Sequence, residues 1–184
     1  EYAPQSYTGE EPAALRARYC NYDPKKQVLQ RLRQYEETGH DTSKIEIVIM
    51  GGTFLSMSKD YKEKFIKGIY QALNNSRKRD LEELKKDNEE ALHRCVAMVI
   101  ETRPDICGAK EIKEMLRYGC TRVELGAQST SDEVLRRIRR GHNTKVTKMA
   151  IKRLKNAGFK VDLHMMLGLP GHCLLYTSDA ADEL

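Results

Sequence analysis

Five positions in this sequence hold residues whose type and spacing could do chemistry. Gly51 and Gly52 follow an apolar run, and with no Cβ they let a ligand come close to the backbone. Glu101 issues directly from another apolar run. A carboxylate there can accept hydrogen bonds from two vicinal hydroxyls, as acids do on riboses, or it can pair with Arg103 or Arg122. Gln128 and Arg140 lie twelve residues apart across a strand–helix junction. Gln offers a donor and an acceptor, and Arg a planar fork that suits a carboxylate. Arg140 also belongs to R-R-I-R-R-G-H, which composition alone reads as a solvated basic face. Taken singly, each position has a plain structural explanation: a turn, a strand-end ion pair, a charged surface.

The cysteines offer less. Cys20, Cys95, Cys107, Cys120 and Cys173 are odd in number, and no two have the C-x-x-C spacing of a metal clip. They read as small buried hydrophobes in a chain from a reducing, cytoplasmic compartment, not as a disulfide scaffold.

The elements that must position these residues follow from periodicity. The chain has 184 residues, 40% hydrophobic and 32% charged, with 32 Lys and Arg against 27 Asp and Glu for a net charge of +5. That is enough for one domain with a core, and it excludes a disordered chain, a collagen and a membrane-spanning protein. No leader is visible, and a start at Glu1 hints at truncation. Residues 1–23 read as an irregular lead-in. Asp23 then caps a helix over 25–38, with Pro24 in its first turn. I-E-I-V-I-M (45–50) reads as a strand buried on both faces. Helical spacing covers 59–73, and 80–93 reads as a second, mostly polar helical stretch, a solvated face or an insertion. A strand over 96–100, a helix over 109–118, a strand over 122–125, helices over 131–139 and 144–157, and a strand over 159–167 complete the pattern. The alternation predicts an α/β fold with a parallel sheet. GGT, ETRPD, GAQS and GLPG sit at successive strand ends, where parallel α/β folds bind ligands, so they predict one shared site at the mouth of an open or closed barrel.

Two further stretches stand out. Residues 131–160 carry ten Lys and Arg against two acids, and Arg16, Arg18, Lys25, Lys26, Arg31 and Arg33 form a second basic stretch; both suit phosphate contacts as well as solvated helix faces. Cys173–Leu184 (C-L-L-Y-T-S-D-A-A-D-E-L) breaks the pattern and reads as a translated sequencing adapter, leaving 1–172 as the domain.

Read together and in order, Q-S-Y-T-G-E-E-P, R-A-R-Y, M-G-G-T-F, I-E-T-R-P-D, Y-G-C-T-R-V-E-L-G-A-Q-S, R-R-G-H and H-M-M-L-G-L-P-G change the weight of each motif. The chain resembles, over residues 1–172, the radical S-adenosylmethionine core of the Elongator catalytic subunit family, including its archaeal and bacterial single-chain members. The resemblance implies a partial parallel (β/α) barrel. It places Gly51, Gly52 and Thr53 on the methionine amino group of S-adenosylmethionine, Glu101 on the ribose, Gln128 on the nucleoside and Arg140 on the methionine carboxylate. It places Met166 and Gly168, within the strand end 166–170, beside the adenine, and Lys44 on acetyl-coenzyme A.

The resemblance further implies a [4Fe–4S] cluster whose cysteines lie upstream of Glu1, since none of the five cysteines here matches a cluster ligand. The end of the barrel and an acetyltransferase domain would follow this segment. The implied activity begins with an electron donor reducing the cluster, which cleaves S-adenosylmethionine to a 5′-deoxyadenosyl radical. That radical would take a hydrogen atom from the acetyl group of acetyl-coenzyme A, the resulting carbon radical would add to C5 of a wobble uridine in transfer RNA, and thioester hydrolysis would leave 5-carboxymethyluridine. Implied partners are transfer RNA and either a second copy or Elongator subunits, with no membrane. As an isolated piece the chain is expected to be inactive. The competing reading is a non-catalytic RNA-binding or assembly module on the same scaffold.

Overall fold

The computed structural model describes residues 9–51 and 54–171. Along them run α1 (Pro12–Tyr19), α2 (Pro24–Glu37), β1 (Lys44–Ile49), α3 (Lys59–Leu73), α4 (Leu81–Asn88) and β2 (Arg94–Thr102). They continue with α5 (Ala109–Tyr118), β3 (Arg122–Gln128), α6 (Asp132–Arg137), α7 (Thr144–Asn156) and β4 (Lys160–Met165). Single 3-10 turns over Phe54–Ser56 and Pro104–Ile106 follow β1 and β2. The strands form one parallel sheet in the order β1-β2-β3-β4. Parallel neighbours cannot be joined by tight hairpins, so helices make every crossover. The fold is α/β, with the sheet of a partial (β/α) barrel.

Local chemistry sets several boundaries. The Asp23 carboxylate accepts from the amides of Lys25 and Lys26 at 2.8 and 3.2 Å, and Pro24 fills a position that needs no donor. Ser58, Asp80, Ser131 and Asn143 cap α3, α4, α6 and α7 in the same way. In α3, Ile66, Ile69 and Leu73 recur on one face and are buried, each contributing about 1.5–3 kcal/mol relative to exposure.

Three expectations are corrected. The lead-in is not wholly irregular, because α1 forms over Pro12–Tyr19; it buries none of its residues and has no side-chain cap, so its signals are weak. The stretch 80–93 is helical only over Leu81–Asn88, and it is not merely a solvated face, because Leu81 and Leu84 are core residues. β1 is not buried on both faces: it is an edge strand with alternating burial, and Val48 is 42% exposed.

That alternation divides the sheet. Ile45, Ile47, Ile49, Met98, Ile100, Val123, Leu125, Val161 and Leu163 face the helices and join the core. The residues between them, including Glu46, Val48, Glu101, Arg122, Glu124, Asp162 and His164, fall on the opposite face. One face is thus a hydrocarbon layer and the other carries the charges.

Candidate functional site

At the carboxyl end of β1, Gly51 takes a φ of +112°, which side-chain-bearing residues rarely adopt. Its amide donates to the Glu101 carboxylate at 2.8 Å. Glu101 lies at the end of β2 and is only 8% exposed. Across β2–β3 it is in register with Glu124. His164 of β4 approaches Glu124, Nε2 to Oε2 at 3.1 Å, and ligand atoms of Glu101, Glu124 and His164 all lie within 4.8 Å of one another. Beneath them Arg122 pairs with Glu46, sits 3.9 Å from Glu124, and places its Nε 3.2 Å from Asp162 in an ion-pair contact without hydrogen-bond geometry. Two carboxylates opposite each other repel; the Gly51 amide, His164 and Arg122 are the donors set against them. Glu124 and His164 were not singled out from sequence. The available signal was strand parity, since Glu124 and Arg122 share a face two residues apart.

A second group gathers over Gly126. Arg140 Nη2 lies 3.5 Å from the Gly126 carbonyl oxygen, while its buried Nε has no hydrogen-bond partner among the described residues. A Cβ on Gly126 would stand 2.8 Å from Arg140 Nη2 and 2.9 Å from Gln128 Nε2, so the missing side chain makes room for both. Gln128 is buried and holds a φ of +68°, beyond a register shift in β3. A non-glycine residue in that region stores strain of order 1–3 kcal/mol, and such strain clusters at functional sites. Burial lowers the pKa of Arg140, the nearby Arg103 lowers it further, and Asp105 opposes them. Arg103 itself grips Asp105 through Nε and Nη2 at 3.0 and 2.7 Å. His142 is buried, with Nε2 3.4 Å from the Ala127 carbonyl and Nδ1 without a partner among the described residues. Burial pushes its pKa down, which keeps the ring neutral. Chemically, a half-buried guanidinium fork beside an amide donor can bind a carboxylate-sized anion.

The remaining candidate residues are spread more widely. The Met166 amide donates to the Gln128 carbonyl at 3.0 Å, placing the turn after β4, with Met166 and Gly168, beside the Gln128 group. Gly52 and Thr53 lie outside the described residues. Lys44 opens β1 and is exposed, at the end of the sheet away from the other candidates, roughly 17 Å along the strand at about 3.3 Å per residue. On α7, Lys145, Lys148 and Lys152 form an exposed row with Met149, and Arg136 and Arg139 line an adjoining shallow cleft with Arg140 and His142.

A parallel sheet that carries a left-handed glycine, carboxylates and a guanidinium toward the carboxyl ends of its strands has the ligand-binding edge of a (β/α) barrel. The chain belongs to the radical SAM superfamily, whose profile matches residues 13–181. It is 51% identical over 168 residues to a Methanocaldococcus infernus protein named tRNA uridine(34) acetyltransferase, an alignment covering 91% of this chain and 32% of that protein. It is 44% identical over 170 residues to Elongator complex protein 3 of Schizosaccharomyces pombe, covering 92% and 31%. The solved structure of archaeal Methanocaldococcus infernus Elp3 with an N-terminal deletion superposes with a TM-score of 0.88 at 46% identity, covering 91% of this chain and 39% of that one. The chain therefore spans about a third of the length of these relatives.

The superfamily implies two groups, and the described residues treat them differently. For S-adenosylmethionine they fit: the orphaned Arg140 Nε and the space over Gly126 suit its carboxylate, and Glu101 suits a diol. For an iron–sulfur cluster they do not. Burial pushes the thiols of Cys95, Cys107 and Cys120 up to about 12, so they are protonated, and Cys20 donates to Gln30 at 3.1 Å. Thiolates, not buried thiols, hold such clusters. Among the described residues no helix is long and apolar enough to cross a membrane.

Proposed function

We propose that this chain is the S-adenosylmethionine-binding core of an enzyme that modifies uridine in transfer RNA. The observation that carries the reading is the half-buried Arg140, turned in over Gly126 beside Gln128 with a donor left open. In this reading Arg140 clamps the methionine carboxylate, Gln128 contacts the nucleoside and Glu101 holds the ribose diol. Gly51, with Gly52 and Thr53, approaches the amino group, and Met166 and Gly168 flank the adenine. When bound and reduced by one electron, S-adenosylmethionine supplies hydrogen-atom abstraction; this chain's own residues bind it, orient it and exclude water. The names of two relatives, a tRNA uridine(34) acetyltransferase and an Elongator complex protein, support transfer RNA as substrate and an acetyl donor. Our reading adds acetyl-coenzyme A near Lys44, an electron donor, a cytoplasmic setting, and a second copy or Elongator subunits as partners. The exposed α7 row is the surface we assign to RNA phosphates.

The cysteines favour a narrower statement for this segment by itself: it binds but does not turn over. That keeps alive the second reading, an RNA-binding or assembly module without catalysis. Arg140→Lys tests the first. Lys keeps the charge but not the fork. Weakened S-adenosylmethionine binding with unchanged transfer RNA affinity supports the clamp. Unchanged S-adenosylmethionine binding with weakened RNA binding returns Arg140 to the basic surface.

A further inference from the structure

Lys62 is a lysine where none is expected. It lies in the first turn of α3, yet it is only 3% exposed. Its Nζ donates to the Leu55 carbonyl oxygen at 3.0 Å and to the Glu114 carboxylate of α5. Burying such a pair is a poor way to gain stability, because desolvation consumes most of the attraction. Nor is the pair needed to join α3 to α5. The Tyr70 hydroxyl donates to the Tyr118 carbonyl at 3.2 Å, and Arg117 pairs with Glu63 at 3.2 Å. Neither of those ties touches the Phe54–Ser56 turn, whereas Lys62 does. Leu55 belongs to the 3-10 turn Phe54–Ser56, in which the Phe54 amide donates to the Gly51 carbonyl at 3.0 Å and the Met57 amide to the Phe54 carbonyl at 3.1 Å. Gly51 is therefore held from two sides, its amide by Glu101 and its carbonyl by a turn that Lys62 pins to α5.

We propose that Lys62, buried on Glu114, is a positioning residue that fixes the Phe54–Ser56 turn and, through its bond to the Gly51 carbonyl, the cofactor edge of the sheet. The inference rests on the S-adenosylmethionine reading above only for its functional consequence; the anchoring of the turn is independent of it.

The test uses the double variant Lys62→Met/Glu114→Leu, which removes both charges and leaves an apolar pair of similar volume, so that stability is kept. Should it fail to fold, Lys62→Gln leaves Glu114 an amide partner but is too short to hold the Leu55 carbonyl. Tyr70→Phe is the control, because it cuts an α3–α5 tie without touching the turn. Thermal unfolding, amide hydrogen exchange at Phe54 and Met57, and S-adenosylmethionine affinity are measured for each. The expected result is exchange at both amides faster by about tenfold or more, and affinity lower by about tenfold, with no matching loss in the control. Unchanged exchange, or the same acceleration in Tyr70→Phe, overturns the anchoring. If the wild-type chain binds no S-adenosylmethionine while exchange responds, the cofactor reading fails and the anchoring stands. If the wild type binds and the variant binds equally well, the functional role of Lys62 is refuted.

Discussion

Gly126→Ala isolates the cofactor edge from the fold. The added Cβ would stand 2.8 Å from Arg140 Nη2, 2.9 Å from Gln128 Nε2 and 3.6 Å from the Thr102 carbonyl oxygen. The last is an ordinary contact. The first two are inside van der Waals range, but both are ends of flexible side chains, so they yield before the strand does. The backbone at Gly126 lies within β3, where alanine is stabilising by about 0.5–1 kcal/mol relative to glycine, roughly offsetting the strain. What changes is the guanidinium and the amide. Losing one charge-assisted hydrogen bond to the ligand costs about 1.5–3 kcal/mol, or about 10- to 150-fold in Kd. Calorimetric titration with S-adenosylmethionine, alongside thermal unfolding, separates the two effects. We expect the affinity to fall by that factor while Tm moves by about 2–4 °C or less. A Kd within twofold of wild type would refute the reasoning, since the space over Gly126 would then serve no ligand. A large parallel fall in Tm would make Gly126 a packing residue.

Other outcomes follow from the same geometry. Glu101→Ala is expected to weaken S-adenosylmethionine binding by about 1.5–3 kcal/mol, more than Glu124→Ala, because Glu101 stands at the end of β2 beside Gly51 whereas Glu124 lies inside β3 against His164; equal dissociation constants would reject the ribose assignment. Anaerobic reconstitution of this chain with iron and sulfide should yield no stoichiometric charge-transfer absorption, because desolvation keeps the thiols of Cys95, Cys107 and Cys120 protonated. Lys148→Ala and Lys152→Ala should each lower the salt slope of transfer RNA binding by about 0.7–0.9 and leave S-adenosylmethionine affinity unchanged; an unchanged slope would remove α7 from the RNA surface.

How much of this was legible in the sequence depends on how far apart the interacting residues lie. The start of α2 was readable because Asp23 caps amides two and three residues away, and the strand–helix alternation because each period lies within one element. α1 was not, since it buries nothing and its cap makes no side-chain bond. I-E-I-V-I-M looked buried on both sides because composition cannot report whether a second layer covers Val48. Glu101 stood out as an acid ending an apolar run, but the Gly51 amide that it holds lies 50 positions away. Lys62 and Glu114 are 52 apart, and Arg122 and Glu46 are 76 apart. Nothing local marks Lys62 among the charged neighbours of its helix.

What joins these distant residues is strand register, and the core itself sets that register. A slip of one residue between β2 and β3 would turn Val123 and Leu125 out of the hydrocarbon layer and drive Arg122 and Glu124 into it. Burying those charges would cost several kcal/mol each, so the slip is forbidden by the apolar face alone. The same constraint sets Glu124 opposite Glu101, brings His164 alongside, and leaves the charged face open. The residues that do no chemistry thus fix where the charged ones stand. Core substitutions on β3, such as Val123→Ala, should therefore disturb the cofactor edge through stability and register, whereas changes at Gly126 or Arg140 act on the ligand with the core intact.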